Sequence, residues 1–531
     1  MTKFKHKTLR YITSILLLCI AVSCENTDLD INDNPNQLTP NSADPNYVLN
    51  SIQLALVEQH FGLYNTSRGT IRQVHQFGTY AASAGSGAMN GAWASAYSIT
   101  SNLNLIKEIS EESNLPNHVG IGQVLEAFAY TNLVDYIGTA VYSEAVNPEF
   151  PNPNLDDGES IYNAMYDQLN EAIVNLNASG EISPTDIFYD GDMAKWVKLA
   201  NTLKVRMYVQ SKLSGNANAA SDINNILASG NYIMDLEDDF MVRFGTNVTL
   251  PDTRHPDFAA NYVTNAGGQY MSNDFMNRVK NGKTVPDPRL PYYFFRQTLD
   301  DPVGTLLPCA GLPAFQYCYL GDGYWGRDHA DDEGIPNDGE LRTTFGIYPV
   351  GGAFDEGLGG ATRDNQGLGG AGIHPIIMSS FTNFLLAEAA LPAPVGLGTN
   401  GNPRDYLQQG MQDSFDRVVA LSGIDMDETE VSDYIDEVLA NYDAASSDEE
   451  RLSIIINEFY IASWGNGIEA YNAYRRTGYP TLGFSVISNT AFPRSYFIPA
   501  DELNSNDNPD LTQKSLTDQV FWDTNPAGFI D

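Results

Sequence analysis

The residues in this sequence that could do chemistry are aromatics carried on irregular chain beside amides, carboxylates and guanidinium groups. Two places have this character. In the first, the glycine-rich stretch 81–91 ends in Asn90-Gly91 and leads to Trp93, with Tyr97 one turn further on. In the second, Phe315-Gln316-Tyr317-Cys318-Tyr319 runs on through Asp322, Tyr324, Trp325 and Arg327. A flat aromatic face suits the apolar C–H face of a pyranose ring, and amide, carboxylate and guanidinium groups hydrogen-bond its hydroxyls. Hydroxyls buried without partners would cost more than stacking returns, so both kinds of side chain are needed together. Asn90, Trp93, Tyr97, Phe315, Tyr317, Tyr324, Trp325 and Arg327 are therefore the candidate carbohydrate contacts. Packing against the core is the competing reading for each of them. Trp196, on the apolar face of a helix, reads as core, and Trp464 and Trp522 read as packing.

No catalytic constellation competes with this reading. Gly367-Leu368-Gly369-Gly370-Ala371-Gly372 matches G-x-G-x-x-G, but it follows no predicted strand and runs into His374-Pro375, so it reads as a mobile loop. There is no phosphate-loop motif, no H-E-x-x-H and no G-x-S-x-G. The acidic stretch 328–340 does not place its glycine at EF-hand spacing. No Cys or His cluster has metal spacing. Carboxylates are so abundant that a glycosidase-like pair says nothing without geometry. The expectation is a binding protein, not an enzyme, with no cofactor and no metal.

Charge limits the partners. The chain has 531 residues, with 67 Asp and Glu against 29 Lys and Arg, a formal net charge of −38. That excludes nucleic acid, which needs clustered cations, and disfavours long polyanions unless a local basic patch overrides the field. The N-terminus has Lys3, Lys5, Lys7 and Arg10, then an apolar run over 11–20, then small residues before Cys24. That order is a secretory signal peptide, and its run is too short to span a bilayer. The Cys placement resembles a bacterial lipobox, with Ala21 where the strong form has Leu, and implies cleavage before Cys24 and its lipidation. Removing residues 1–23 would take four positive charges and move the net charge to −42. Glu25, Asp28 and Asp30 resemble a surface-export signal; a solvated tether is the alternative. Cys309 and Cys318 remain. In an exported protein they form a plausible disulfide, with two free thiols as the alternative.

The elements that must position these residues are helices. Leu49, Ile52 and Leu56 fall at helical spacing, as do Ile99, Leu103 and Ile106. Helices are predicted over 119–137, from Asp156 through Ile161, Met165, Leu169, Ile173 and Leu176, from Asp192 to about Leu213, and over 219–228. Others follow over 381–391, 403–421, 428–441 and 451–462. Periodicity supports successive helical pairs and no clean repeat. Between 235 and 374 the chain is rich in Gly, Pro, Asp and aromatics, with short strands possible at 292–295 and 345–350.

Four stretches carry a family resemblance. They are Phe188-Tyr189-Asp190-Gly191-Asp192-Met193-Ala194-Lys195-Trp196, Asp287-Pro288-Arg289-Leu290-Pro291-Tyr292-Tyr293-Phe294, Phe384-Leu385-Leu386-Ala387-Glu388-Ala389-Ala390, and Glu469-Ala470-Tyr471-Asn472-Ala473-Tyr474-Arg475-Arg476-Thr477-Gly478-Tyr479-Pro480. In this order, behind the lipobox, they resemble the SusD/RagB family of outer-membrane nutrient-binding lipoproteins. The resemblance implies a mainly α fold, a tetratricopeptide-like helix-pair scaffold carrying a large irregular, loop-rich ligand-binding region. It implies a signal peptide over 1–23, a lipid-anchored linker over 24–46 and one domain over 47–531. In that domain the scaffold covers 47–234 and 375–491, the binding region 235–374 and an irregular tail 492–531. It implies a neutral glycan ligand, a SusC-like TonB-dependent transporter as partner, and attachment to outer-membrane lipid through Cys24, facing the cell exterior. In starch-binding relatives, aromatics from an early loop and from the middle region form one arc, and the carry-over to this chain is by region only. Arg475 and Arg476 close a helix before Gly478 and read as structural. A peptide-capturing protein of the same architecture, a surface hydrolase and a purely structural role are the alternatives.

Overall fold

The structure is a computed structural model that describes residues 43–263, 268–334, 336–487 and 491–530. The signal peptide, the lipidation site Cys24 and the linker up to residue 42 lie outside the described residues.

The helical periods fold as helices, each bounded by local chemistry. Helix α1 (Pro45–Thr70) buries Leu49, Ile52, Leu56 and Leu63 on one face. It packs on α2 (Asn90–Ser113), which answers with Ile99, Leu103 and Ile106. Helix α3 (Pro116–Ile137) is buried on nearly every side, so its sequence lacks a clean apolar stripe. It packs on α4 (Gly158–Leu176), where Asp157, one residue beyond the predicted start, caps the first turn by accepting from the Ser160 amide at 3.0 Å. Asp192 likewise caps α5 (Met193–Gln210), and α6 (Ala219–Ser229) follows. Beyond the irregular middle come α7 (Asn273–Asn281), α8 (Ser379–Ala390), α9 (Pro403–Ser422), α10 (Glu428–Ala444), α11 (Asp448–Ala462) and α12 (Gly467–Thr477). Helices α8 and α9 form a third packed pair, and α12 returns to α1. The architecture is mainly α on a tetratricopeptide-like helix-pair scaffold. Residues Pro45–Asp531 cluster as one unit. Among the described residues no helix is long and apolar enough to cross a membrane.

Among the described residues, strand is confined to three antiparallel two-stranded ladders. These are β1 (Thr139–Ala140) with β2 (Asp156–Asp157), β3 (Phe240–Arg243) with β6 (Ile373–Ile377), and β4 (Phe294–Phe295) with β5 (Thr344–Phe345). The two apolar runs read as possible strands thus pair with each other, but only in part. Tyr292 sits in the helical turn Leu290–Tyr293, and no strand continues past Phe345. Trp464 binds this region to the scaffold by stacking on Phe275 at 4.9 Å and Phe345 at 5.2 Å.

The stretch 367–372 is not the free loop expected. The Leu368 and Gly370 amides donate to Gly351 O, and the chain then enters β6. Gly367 has φ +58° and lies so close to Gly352 O that a Cβ would fall 1.6 Å from it. These glycines serve close backbone contact, not motion.

The motif residues of the last helix are buried crosslinks. Arg475 donates to Asp135 O at 2.6 Å and Arg494 O at 2.8 Å. Arg476 forks onto the Glu388 carboxylate with two bonds of 2.7 Å, and Lys212 joins Glu388 at 2.9 Å. Arg206 bridges Glu469 at 2.6 Å and Asp135 at 3.1 Å.

Candidate ligand-binding cleft

The largest cavity described, about 760 Å³, opens where α7, the end of α12 and two irregular segments meet. Helix α7 puts Asp274 and Arg278 one turn apart on the same face, and both line the cleft. Arg72, just beyond α1, enters from another side with φ +64°, a conformation that non-glycine residues adopt uncommonly. Its guanidinium donates to the Tyr80 hydroxyl at 3.0 Å, to Asp274 Oδ2 at 3.3 Å and to the Gly483 carbonyl. Asp274 Oδ2 also accepts from the Gly483 amide at 3.0 Å. The segment 481–487 is thereby held open-faced. It presents Phe484, which is 77% exposed, beside Phe529 at 38%.

The facing segment is the second predicted place. Gln316 accepts from the Phe484 amide at 3.0 Å and donates to the Tyr317 hydroxyl at 3.0 Å, so the two loops are joined across the cleft. Tyr317 is half-buried, and that burial raises its phenol above the ordinary value, with the Asp274 charge adding to the shift. Its backbone is fixed from below. Buried Asp328 accepts from the Tyr317 amide at 2.8 Å, the Cys318 amide at 3.2 Å and the Asn273 side chain at 2.7 Å. Cys318 is disulfide-bonded to Cys309.

Asp328→Ala is expected to leave two loop amides and the Asn273 amide without their acceptor, at about 1–3 kcal/mol. The amides of Tyr317 and Cys318 should then exchange with solvent much faster than those of α1. Hydrogen exchange that leaves the 315–319 segment as protected as before would show that the disulfide alone holds it.

The predicted residues divide. Tyr317 lines the cleft, and Phe315 lies half-buried two residues away. Tyr324, Trp325 and Arg327 are buried at 5%, 3% and 4% exposure, so they do not offer a free surface. The reason is backbone packing. The Arg327 amide donates to Met271 O and its carbonyl accepts from the Asn273 amide, drawing the segment against the start of α7. Gly326 permits this approach, since a Cβ there would meet Met271 O at 2.4 Å. Arg327 then covers the Tyr270 ring at 4.5 Å, and Tyr324 faces Arg296 at 4.8 Å.

The first predicted place lies elsewhere. Asn90 begins α2 instead of sitting in a loop, and Trp93 faces inward at 6% exposure, donating to Glu502 Oε2 at 3.2 Å. The Tyr97 hydroxyl accepts from the Val141 amide at 2.9 Å. Among the described residues no hydrogen bond, ion pair or ring contact joins this group to 315–327. Trp196, Trp464 and Trp522 are at most 1% exposed, each with its indole N–H bonded. The cleft residues missed in sequence were Arg72, Asp274, Arg278, Phe484 and Phe529. Phe484, in Gly483-Phe484-Ser485, carried the same signal of an aromatic on loop chain beside glycine.

With this geometry in hand, comparisons place the chain. A family model described as starch-binding and associating with the outer membrane matches residues 35–307. A second, described as SusD and RagB outer membrane lipoprotein, matches 374–495. No curated protein matches the sequence. Among solved structures, a chitin-binding SusD homolog from Flavobacterium johnsoniae superposes with TM-score 0.66 at 18% identity, covering 91% of this chain and 99% of that one. A SusD homolog from Bacteroides fragilis NCTC 9343 gives 0.65 at 20% identity, covering 87% and 93%. One from Bacteroides thetaiotaomicron VPI-5482 gives 0.66 at 18%, covering 91% and 100%. At these identities the structures speak for the fold, and the two sequence models speak for descent: the chain belongs to the SusD/RagB family.

Proposed function

We propose that this protein is a cell-surface glycan-binding lipoprotein. It captures an oligosaccharide and delivers it, without turnover, to a SusC-like TonB-dependent transporter in the outer membrane. The observation that carries the proposal is the cleft. The side chains of Tyr317, Phe484 and Phe529 line one cavity with the polar side chains of Gln316, Asp274 and Arg278. That mixture matches a sugar, whose faces are apolar and whose edges are hydroxyl. The family membership supports the anchoring at Cys24 and the transporter partnership, and the chitin-binding relative supports a glycan as ligand. The net charge of −38 sets the surface against nucleic acid and extended polyanions, leaving an uncharged or sparsely charged glycan.

Titration calorimetry of the purified protein against glucans, mannans, xylans, alginate and a peptide digest tests the reading. Tyr317→Ala and Phe484→Ala should each weaken the binding of the glycan by about 0.5–1.5 kcal/mol, roughly twofold to twelvefold. Glycan binding that survives both changes would put the site elsewhere on the molecule. Heat from peptides alone would replace the glycan with a peptide ligand.

A further inference from the structure

The charges inside the cleft do not follow those of the chain. Asp274 is committed to Arg72 and to the Gly483 amide, and Asp328 below is committed to two loop amides and Asn273. Among the described residues Arg278 forms no ion pair with a carboxylate. Its guanidinium donates to Asn457 Oδ1 and to the Thr481 carbonyl, both neutral. Among the described residues every other arginine except Arg243 and Arg475 forms an ion pair. Arg475 is buried on backbone carbonyls, and Arg243 does not line the cleft. In a chain with 67 acidic residues, an arginine that reaches the ligand cavity unpaired is a selective feature. Two of its donors are used on neutral acceptors that fix its position, and the guanidinium retains further N–H groups.

We propose that Arg278 recognises a carboxylate on the bound sugar, so that the ligand is an oligosaccharide bearing a uronate residue in an otherwise uncharged chain. This rests on the glycan reading of the same cleft. The overall negative field opposes a long polyanion but acts at range and is screened by salt, whereas one carboxylate meeting a fixed guanidinium gains a short, charge-assisted contact. Tyr317, Phe484 and Phe529 remain available to the neighbouring neutral rings.

The test is calorimetry of the purified protein with matched pairs. Suitable pairs are xylo-oligosaccharides with and without a single glucuronate branch, and manno- and galacto-oligosaccharides with and without one terminal uronate, with a peptide digest alongside. The acidic member of one pair should bind about tenfold tighter than its neutral counterpart, and added salt should erode that advantage. Arg278→Gln should bring the pair to within about twofold, and Arg278→Lys should keep part of the preference. If Arg278→Gln does not fold, the pair comparison and its salt dependence in the unaltered protein decide. A neutral member that binds as well, or a preference that survives Arg278→Gln, would overturn the inference and leave the glycan reading standing. No binding to any sugar, with or without peptide binding, would overturn both.

Discussion

Arg476→Ala should destabilise the protein by about 3–5 kcal/mol, the range for removing one partner from a buried ion pair. Arg476 and Glu388 are both essentially inaccessible and are joined by two bonds of 2.7 Å. Burial alone would raise the Glu388 carboxyl, but Arg476 and then Lys212 hold it down at about 2. Without Arg476, the carboxylate keeps only Lys212, and Gln210 loses its partner as well. The crosslink spans α8, α12 and the end of α5, so its loss loosens the junction at which the cleft-lining Tyr474 is carried. The triple replacement of Arg476, Glu388 and Lys212 by Met should cost less than Arg476→Ala, because it leaves no charge buried. Urea unfolding of the three proteins checks this. A single variant as stable as the parent would mean that water reaches Glu388 and replaces the guanidinium.

The same residues show how far sequence could be read. The stretch containing Arg475 and Arg476 was legible as a helix end followed by Gly478, and the helix stops there, with Gly478 at φ +74°. Arg475 does bond backbone carbonyls, one in the irregular tail at Arg494 and one in the last turn of α3 at Asp135. That Arg476 reaches Glu388, eighty-eight residues earlier, has no local signature, since the pairing depends on how α8 and α12 pack. Helices α1, α2 and α4 were visible because one face of each meets solvent. Helices α3 and α8 are buried almost all round, so the apolar face marked by Ile121, Val124, Leu125 and Phe128 in α3 is only part of what that helix buries.

The cleft was legible in composition more than in position. Aromatics on irregular chain line it, and of the eight candidate contacts Tyr317 is the one among them. Eight to ten residues further on, Trp325 and Arg327 look alike in sequence but are drawn inside by hydrogen bonds to Met271 and Asn273. Backbone capture of this kind leaves no mark except Gly326. Trp93 reads as a loop aromatic until α2 is seen to begin at Asn90, which turns the indole inward toward Glu502.

Acid should unfold the protein well above the range where carboxylates titrate. His60 on α1, His374 on β6 and His255 form a buried cluster with Tyr64, Arg68 and Asp257. His60 Nδ1 and His374 Nε2 are 2.8 Å apart, so one ring donates and the other must accept with a bare nitrogen. Burial is the main force lowering all three; Arg206 adds to it at His60 and the neighbouring histidines at His374. His60 falls to about 3 and His255 to about 4, the nearby Asp257 offsetting part of the shift at His255. The unfolded chain binds protons on these rings below about pH 6.5 and the folded chain does not. Stability contributed by neutral histidine is therefore complete above that pH and is lost as pH falls towards 3–4. Each ring can contribute up to about 1.4 kcal/mol per pH unit, so three approach about 4, a large share of a total near 5–15 kcal/mol. His329, against Tyr80 at the cleft, and His75, against Phe77 and Tyr270, are lowered by burial too and act in the same direction. Asp413, raised to about 6 by burial, opposes them between about pH 6 and 4, because there the folded state holds the extra proton. Glu388 contributes only below its unfolded value near 4.5. Urea midpoints should therefore fall between pH 7 and 5, and His374→Gln should flatten that slope while lowering stability at pH 7. A midpoint constant down to pH 5 that drops only below 4.5 would assign acid unfolding to the carboxylates and would mean that the histidine cluster accepts protons without opening.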